Sequence, residues 1–307
     1  MQAILKQIGY QKVDSIAIAF GVAPRINACG RMGDAYKALD LLLESDYEKA
    51  LKEAEEIQEY NDRRQAEEKI IFEEACNQID SDLSNKDAAI VVGGNLWHRG
   101  VIGIVASKIT DKYYKPTILI GFDDETNLGK GSGRSIQGFN LHEALTKCKD
   151  TLAGFGGHSM AVGVSVTKEN FDNFKTQFNK IASLEGVNNL EPTLNIDSVI
   201  NIDEITKNMV QSLSLLEPFG EANKMPIFAF KNLRIDSIRS LSDGKHLKLT
   251  LKSRNNNFIN AIGFNLGYLA DDYRIGERID VAGNLEINSF NGNETVQINI
   301  KDVMGSL

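Results

Sequence analysis

The 307-residue sequence has few of the residues that build metal centres or disulfide frameworks. It contains four histidines and three cysteines, and the cysteines lie far apart without a CxxC pair. Hydrolysis at a two-metal site needs several convergent carboxylates, often with histidine, and no histidine has acidic neighbours placed to share a metal. Zinc-ligand spacings, Walker loops and nucleophile elbows do not occur. We therefore expect this chain to bind no metal and to keep free thiols in a reducing cytoplasm.

Long hydrophobic runs are also absent. No apolar run reaches the roughly 18 residues that a membrane span needs. The N-terminus does not combine a basic segment, an apolar stretch and a cleavage site, as a signal peptide would. The hydrophobic fraction of 42% and the charged fraction of 25% are ordinary for globular proteins. The sequence therefore predicts a cytoplasmic protein without a membrane association.

The net charge of −8 is unevenly distributed. Twelve acidic and five basic residues lie between Asp46 and Asp80, which gives that segment a net charge of −7. Residues 226–307 contain ten basic and nine acidic residues. Salt screens charges over about 8 to 10 Å, so a basic groove can function beside a distant acidic helix. The negative total therefore does not exclude nucleic acid as a ligand.

The first 82 residues read as two segments. Residues 1–34 contain a short apolar strand, Ile16–Phe20, followed by a loop to Gly33, and they resemble the end of a domain. Residues 35–82 have helical spacing, which predicts a short helix and then a long helix capped by Asp46. The middle of the long helix has little apolar stripe, so we expect it to be solvated and to connect two domains.

The rest of the chain predicts an α/β domain followed by a β domain. Residues 83–190 alternate strands and helices, as one α/β domain does. Residues 191–307 contain a helix and then five short strands separated by turn signals such as Asp243-Gly244. Five strands in this length suit a barrel of the oligonucleotide-binding (OB) type.

Two segments of the α/β domain have the composition of an anion site. Ser132 and Arg134 lie two residues apart in a strand, so they project from the same side and suit a phosphate. The same pair is also typical of an edge strand with a surface arginine. Gly154–His158 contains three glycines, which let a backbone approach a ligand closely, although a tight turn with a surface histidine has the same pattern.

Two further loops are candidates. Asn95–Gly100 joins a strand to a helix, where unpaired N–H groups favour anions. Trp97 and His98 are placed to stack or to hydrogen-bond there, and Trp97 is equally suited to a core. Pro24–Met32 contains two arginines and an asparagine, which predicts either a phosphate clamp or a solvated loop.

Together and in order, these segments resemble the RecJ family of single-strand-specific exonucleases in the DHH phosphoesterase superfamily. The resemblance covers nearly the whole chain. The matching motifs are Ala23–Met32, Trp97–Ser107, Lys130–Ser135, Gly156–Gly163, Pro218–Phe228 and His246–Leu251. One departure is Ala222-Asn-Lys224, where the family usually has Gly-Asn-Pro.

The resemblance implies a domain order. Residues 1–34 would be the end of a DHH domain, 35–82 connecting helices, 83–190 the DHH-associated α/β domain and 191–307 an OB-fold-like barrel. It also implies 5′-to-3′ digestion of single-stranded DNA in repair and recombination. The Mn²⁺ or Mg²⁺ would be held by an Asp-His-His motif that this sequence does not contain. We therefore expect the chain alone to be inactive, and a single-strand-binding protein or a helicase is a candidate partner.

The resemblance also implies roles for individual residues. Arg31, Ser132 and Arg134 match positions that hold the 5′ phosphate, and Asn27 belongs to the same motif as Arg31. The motif that lines the cleft matches Gly156, Gly157 and His158. His98 matches a position near the scissile end and is the one candidate for an assisting role, so no catalytic residue is assigned.

Sequence-tolerant binding by the barrel would use its lysines and arginines together with stacking aromatics. The candidates are Phe258, Phe264, Tyr268 and Phe290, each of which also suits a barrel core, and for Phe264 we favour the core.

Three other readings remain. A small-substrate DHH enzyme that cleaves short oligonucleotides or cyclic dinucleotides is disfavoured by the barrel. A non-enzymatic module that binds single strands or a protein fits the missing metal ligands. An alanyl-tRNA editing relative is disfavoured because no zinc-ligand set is present.

Overall fold

The computed structural model describes residues 1–10, 13–81, 87–123, 125–290 and 292–306, without the side chain of Phe290. They divide into two units, Met1–Pro192 and Thr193–Leu307, which are described separately below. The boundary expected at residues 82 and 83 lies outside the described residues. None of the described helices is long and apolar enough to cross a membrane.

The first unit begins with a helical cluster. Its elements are α1 (Gln2–Gln7), a π-helical turn (Ala17–Val22), α2 (Ala23–Met32), α3 (Ala35–Leu43) and α4 (Tyr47–Ser81). Asp46 Oδ1 accepts hydrogen bonds from the backbone N of Glu48 and Lys49, so the predicted cap of α4 is confirmed. Asp34 caps α3 in the same way.

The predicted strand Ile16–Phe20 is wrong, and so is the loop that was expected to follow it. These residues are helical, because Ala17, Gly21 and Val22 are buried at helical spacing while Ile16 and Phe20 face outward. Asp14 Oδ1 accepts a hydrogen bond from Ala17 N and acts as a cap. An aspartate two residues before the apolar segment Ile16–Phe20 was therefore the signal that the strand interpretation overlooked.

Helix α4 is a single 35-residue helix whose two halves pack against different cores. Ala54 and Ile57 pack with α1, α2 and α3, whereas Ile71 and Ala75 pack with the α/β sheet. The expectation of a solvated middle is partly wrong, because Asn61 and Glu68 are buried there. Their polar groups are satisfied by Arg64, which contacts both side chains.

A five-stranded mixed sheet forms the rest of the first unit. The strands are β1 (Ile90–Asn95), β2 (Thr117–Phe122), β3 (Leu128–Arg134), β4 (Gly154–Gly157) and β5 (Ala161–Thr167), in the order β1-β2-β3-β5-β4. Strands β1 and β2 are parallel, and the remaining neighbours are antiparallel. The predicted α/β domain is confirmed, although the glycine-rich segment Gly154–Gly157, interpreted as either a ligand-binding loop or a tight turn, forms strand β4.

Helices cover the two faces of this sheet unequally. Helix α5 (Ile102–Tyr113) packs with α4 on the face that contains Leu119. Helices α6 (Leu141–Lys147) and α7 (Phe171–Leu184) cover the opposite face, where Phe174 and Phe178 are fully buried. On the α5 side, the residues of β5 and β4 stay exposed or half-buried.

The second unit is a closed five-stranded barrel, as predicted. Its elements are β6 (Ser198–Val199), α8 (Lys207–Leu213), β7 (Phe228–Leu241), β8 (His246–Lys252), β9 (Phe258–Gly263), β10 (Arg278–Phe290) and β11 (Asn293–Gly305). The sheet runs β7-β8-β9-β11-β10 and closes through β10–β7 pairing. The single parallel pair among these five strands is β11–β9, which together with the closure gives the OB topology.

The turn before the barrel, where the sequence departs from the family motif, is built around Asn223. Its side-chain amide donates to the carbonyl oxygens of Leu216 and Pro218, at 2.7 and 3.1 Å. Gly220 and Asn223 also pair through their backbones. The substituted neighbours Ala222 and Lys224 are therefore compatible with a closed turn.

Candidate phosphate site and strand-binding surfaces

The loop between β1 and α5 is organised by His98. Its carbonyl oxygen accepts hydrogen bonds from Val101 N and Ile102 N, which begins the helix. Its ring Nδ1 accepts a hydrogen bond from Gly100 N at 3.1 Å. Because Nδ1 is an acceptor, the neutral ring has its proton on Nε2. His98 therefore presents one N–H donor while its other nitrogen shapes the loop.

Arg31 lies against this loop from helix α2. Its Nη1 donates to Gly100 O at 3.0 Å. A Cβ atom at Gly100 would lie 2.3 Å from Arg31 O, so only glycine allows this approach. Asn27 is one helical turn earlier on α2 and is also exposed, which places both side chains on one side of the helix.

Ser132 and Arg134 approach the first turn of α5 from strand β3. Arg134 Nη1 donates to Ser132 Oγ at 3.0 Å, so the two side chains share one side of the sheet as alternation predicts. A Cβ atom at Gly103 would lie 3.1 Å from both Arg134 Nη2 and Ser132 Oγ. The start of α5 thus has Arg31 on one flank and the Ser132–Arg134 pair on the other.

The electrostatics of these groups favour an anion. Burial lowers the pKa of Arg134, and the positive charge of Arg31 lowers it further. Within the described parts of the chain, neither guanidinium has a carboxylate at ion-pair distance. Two uncompensated like charges beside a helix N-terminus and a hydroxyl are suited to binding a phosphate.

The glycine-histidine segment forms the hairpin of β4 and β5. Gly156 pairs with Gly163, which in turn pairs with Ser132. A continuous row of paired residues therefore crosses strands β4, β5 and β3. Gly157 has φ +137°, and a Cβ there would lie 2.3 Å from Ala161 O, so the hairpin turn requires glycine. His158 follows Gly157 within this turn and is exposed, and its backbone N donates to Ala161 O.

Arg25 and Trp97, which belong to the candidate loops, have structural roles and not ligand-binding ones. Arg25 donates to Gln58 Oε1 and Gly21 O, so it joins α2 to α4 and does not take part in a phosphate clamp. Trp97 is buried, and its Nε1 donates to Glu74 Oε2 at 2.7 Å. The sequence allowed Trp97 either to contact a ligand or to lie in the core, and the structure shows that it is a core residue.

Gly103 and Lys130 were not singled out from the sequence. Gly103 interrupts a helical pattern, which is a signal of close approach to another element. Lys130 precedes Ser132 by two residues in the same strand and therefore faces the same side.

The outer face of β8 and β9 is basic and aromatic. Lys252 is paired with Phe258 in the strand register, and its Nζ lies 5.1 Å from the ring centroid. Lys248 is exposed on the same face. Phe258 and Tyr268 are exposed, while the side chain of Phe290 lies outside the described residues.

The assignment of Phe264 to the core is wrong. Its side chain is 53% exposed and packs edge-to-face against His246, with ring centroids 5.3 Å apart. Strand β9 buries Ile259, Ala261 and Gly263, so the same alternation places Phe264 on the outer side with Phe258. Aromatic rings therefore lie near both ends of this face.

The described residues do not fit a divalent-metal centre. They contain no group of three or more His, Cys, Asp or Glu side chains placed to hold one ion. The exposed carboxylate of Asp123 pairs with Arg99, and Glu68 pairs with Arg64 and Lys108. No reaction step is therefore derived through a metal on these side chains.

Comparison with known proteins gives two domain families in order. Residues 85–184 match the DHHA1 domain, and residues 196–302 match the RecJ OB domain. The candidate phosphate site lies partly in the first of these segments, and the β8–β9 face lies in the second.

Whole-chain relatives agree with the domain matches. RecJ of Bacillus subtilis is 35% identical over 93% of this chain, which spans 36% of that relative. RecJ of Thermus thermophilus is 30% identical over 99% of this chain, which spans 42% of that relative. The crystal structure of the Thermus thermophilus RecJ in complex with Mn²⁺ superposes with a TM-score of 0.81 at 28% identity, covering 100% of this chain and 44% of that chain.

The chain thus spans less than half the length of these relatives. It is similar to the DHHA1 and RecJ OB domain families over the residues that match them, and it is homologous to the C-terminal region of the RecJ single-stranded-DNA-specific exonucleases.

Proposed function

We propose that this chain positions the 5′ end of single-stranded DNA for a RecJ-like 5′-to-3′ exonuclease. The observation that supports this most strongly is the convergence of Arg31 and Arg134 on the start of α5, with no carboxylate beside either group among the described residues. The free energy of bringing these charges together is recovered when an anion binds between them. A terminal phosphate, with its two negative charges, is a better ligand for this pair than an internal phosphodiester.

The barrel would hold the strand further from its end. Phe258 and Phe264 offer exposed rings on which bases stack, and Lys248 and Lys252 are placed to contact phosphates between them. Such a surface binds every base, because each has a flat face, and its affinity falls with salt.

Several features of the whole enzyme belong to the same proposal. The RecJ of Thermus thermophilus has been solved with Mg²⁺ and with Mn²⁺. We infer that a DHH domain supplies the metal ligands in the complete system, and that hydrolysis serves repair or recombination in the cytoplasm. A single-strand-binding protein or a helicase would deliver the strand.

The test compares 5′-phosphorylated and 5′-hydroxyl oligonucleotides by fluorescence anisotropy in EDTA. We expect Arg134→Ala to reduce the preference for the phosphorylated end about tenfold, because a charge-assisted hydrogen bond contributes about 1.5 to 3 kcal/mol. Arg134→Lys should retain part of the preference, since it keeps the charge and loses the planar fork.

Lys180→Ala is the matched control, because Lys180 is exposed on α7 at the opposite face of the sheet. It should leave the preference unchanged. An equal loss of affinity for phosphorylated and unphosphorylated strands in Arg134→Ala would contradict the assigned role.

A further inference from the structure

Lys130 is an exposed cation on the same sheet face as the phosphate site. It lies two residues before Ser132 in β3, so the two side chains project from one side. Two residues of a strand span about 6.7 Å. One sugar and its phosphates can bridge that distance, so Lys130 is one nucleotide away from the Ser132–Arg134 pair.

The surroundings of Lys130 leave its charge uncompensated. Its Nζ donates to Ser165 Oγ at 2.9 Å, which is a neutral partner in the paired position of β5. On its other side it pairs with Gly121, over which the Trp97 carbonyl lies close. Within the described segments, no carboxylate lies at ion-pair distance from Lys130.

The sheet beside Lys130 is free of large side chains. Gly154, Gly156 and Gly163 lie on the α5 side of β4 and β5, and all three are exposed. A Cβ atom at Gly154 or Gly156 would meet nothing within 4 Å, and at Gly163 it would meet only Gly131 O at 4.0 Å.

The glycines of strand β3 are required for a different reason. A Cβ atom at Gly131 or Gly133 would lie 2.6 to 2.7 Å from valine methyl groups of β5, so the core packing requires glycine there. Packing does not require the exposed three. Their absence of side chains leaves a flat surface on which a sugar or a base can lie.

We propose that Lys130 binds the internucleotide phosphate that follows the 5′-terminal phosphate, so that this sheet face holds a 5′-phosphorylated dinucleotide. The inference rests on the proposed function, because it takes Arg31, Ser132 and Arg134 as the site of the terminal phosphate. The strand then runs along β3 from Arg134 toward Leu128, with its first nucleoside over the glycine surface.

The experiment uses the whole chain in EDTA and three thymidine probes, measured by calorimetry. The probes are thymidine 5′-monophosphate, the 5′-phosphorylated dinucleotide, and the same dinucleotide with a neutral methylphosphonate linkage. We expect Lys130→Ala to weaken binding of the charged dinucleotide about tenfold, as the loss of one charge-assisted contact does. It should leave binding of the monophosphate and of the neutral dinucleotide unchanged, and Lys130→Arg should restore most of the loss.

The two proposals fail in different ways. If Lys130→Ala weakens all three probes equally, or weakens none, Lys130 does not contact the second phosphate. If the unaltered chain binds the charged dinucleotide no better than the neutral one, the inference is also wrong. If Arg134→Ala leaves monophosphate binding unchanged, the terminal-phosphate site itself is wrong, whatever Lys130→Ala does.

Discussion

At the scale of single residues, burial determines which polar groups remain chemically available. Arg31 and His158 are exposed and can meet a ligand, whereas Cys29 and Cys148 are buried among apolar neighbours. Burial raises the pKa of the Cys148 thiol to about 11 and also raises that of Cys29. These thiols are core residues without a part in the chemistry of the site.

The Cys148 thiol should resist alkylation in the native protein. At pH 8 its raised pKa keeps the thiolate population small, and the thiolate is the reactive form. Iodoacetamide labelling followed by mass spectrometry should show modification at least about tenfold slower than in denaturant.

The same shift has a consequence for stability. The folded pKa lies above the ordinary value of 9.0, so the contribution to stability is complete below pH 9 and is lost as the pH rises toward 11. Cys148→Ala should flatten this part of the stability profile, which denaturant unfolding as a function of pH measures.

For the alkylation prediction, rapid labelling of the native protein by iodoacetamide at pH 8 would show that Cys148 is not enclosed as described.

The residues also show the limits of sequence reasoning. The pairing of Ser132 with Arg134 follows from strand alternation and was predictable. The different roles of Arg25 and Arg31 could not be predicted from the sequence. They depend on helix α2, which turns Arg25 toward Gln58 of α4 and Arg31 toward the loop before α5. By contrast, the exposure of Phe264 follows from the alternation of β9, which buries Ile259, Ala261 and Gly263, so the core assignment disregarded a local pattern.

At the scale of elements, the mixed sheet has glycines of two kinds. Those of β3 on the α6–α7 side are enclosed by core side chains, whereas those of β4 and β5 on the α5 side face open space. The sequence pattern indicated a glycine-rich loop or turn but not strand β4, because a segment of four residues with three glycines has a low strand propensity. Only the pairing with β5 makes this segment a strand.

The two kinds of glycine should respond differently to valine. Gly163→Val should change the free energy of unfolding by less than about 1 kcal/mol, since its side chain enters open space and valine suits a strand. It should nevertheless reduce the affinity for phosphorylated oligonucleotides about tenfold or more by occupying the glycine surface.

Gly133→Val is the matched comparison. Its Cβ would lie 2.7 Å from Val162 Cγ2 and 2.8 Å from Leu141 Cδ2, so overpacking should cost about 1 to 3 kcal/mol. Denaturant unfolding and anisotropy measure the two effects. If Gly163→Val binds DNA like the unaltered chain, the glycine surface is not where the strand lies.

At the scale of the whole molecule, the chain combines the proposed phosphate site with a closed barrel of OB topology. The α/β fold and the barrel that follows it were predictable, because turn signals and alternation are local and the ordered motifs reinforce each other. The helical nature of residues 15–32 was not, since it depends on burial against α4 and α1.

The chain alone should bind single-stranded DNA weakly and release no nucleotides when Mn²⁺ is added. The described side chains form no group suited to hold a metal, so binding and hydrolysis are expected to separate. Thin-layer analysis of a labelled strand provides the measurement. Nucleotide release that disappears in Arg134→Ala would contradict this expectation, because it would tie hydrolysis to the phosphate site of this chain.

Helix α4 fixes the relative orientation of the helical cluster that carries Arg31 and the sheet that carries Arg134. Arg31 belongs to the helical cluster that packs on the first half of α4, and Arg134 belongs to the sheet that packs on the second half. Inserting one residue near Arg64 would turn one half by about 100° relative to the other, whereas seven residues would nearly restore the angle but add about 10 Å. The spacing of the two guanidinium groups therefore depends on the length of α4, which supplies neither of them, so an insertion in α4 should disturb the proposed phosphate site even where it restores the angle.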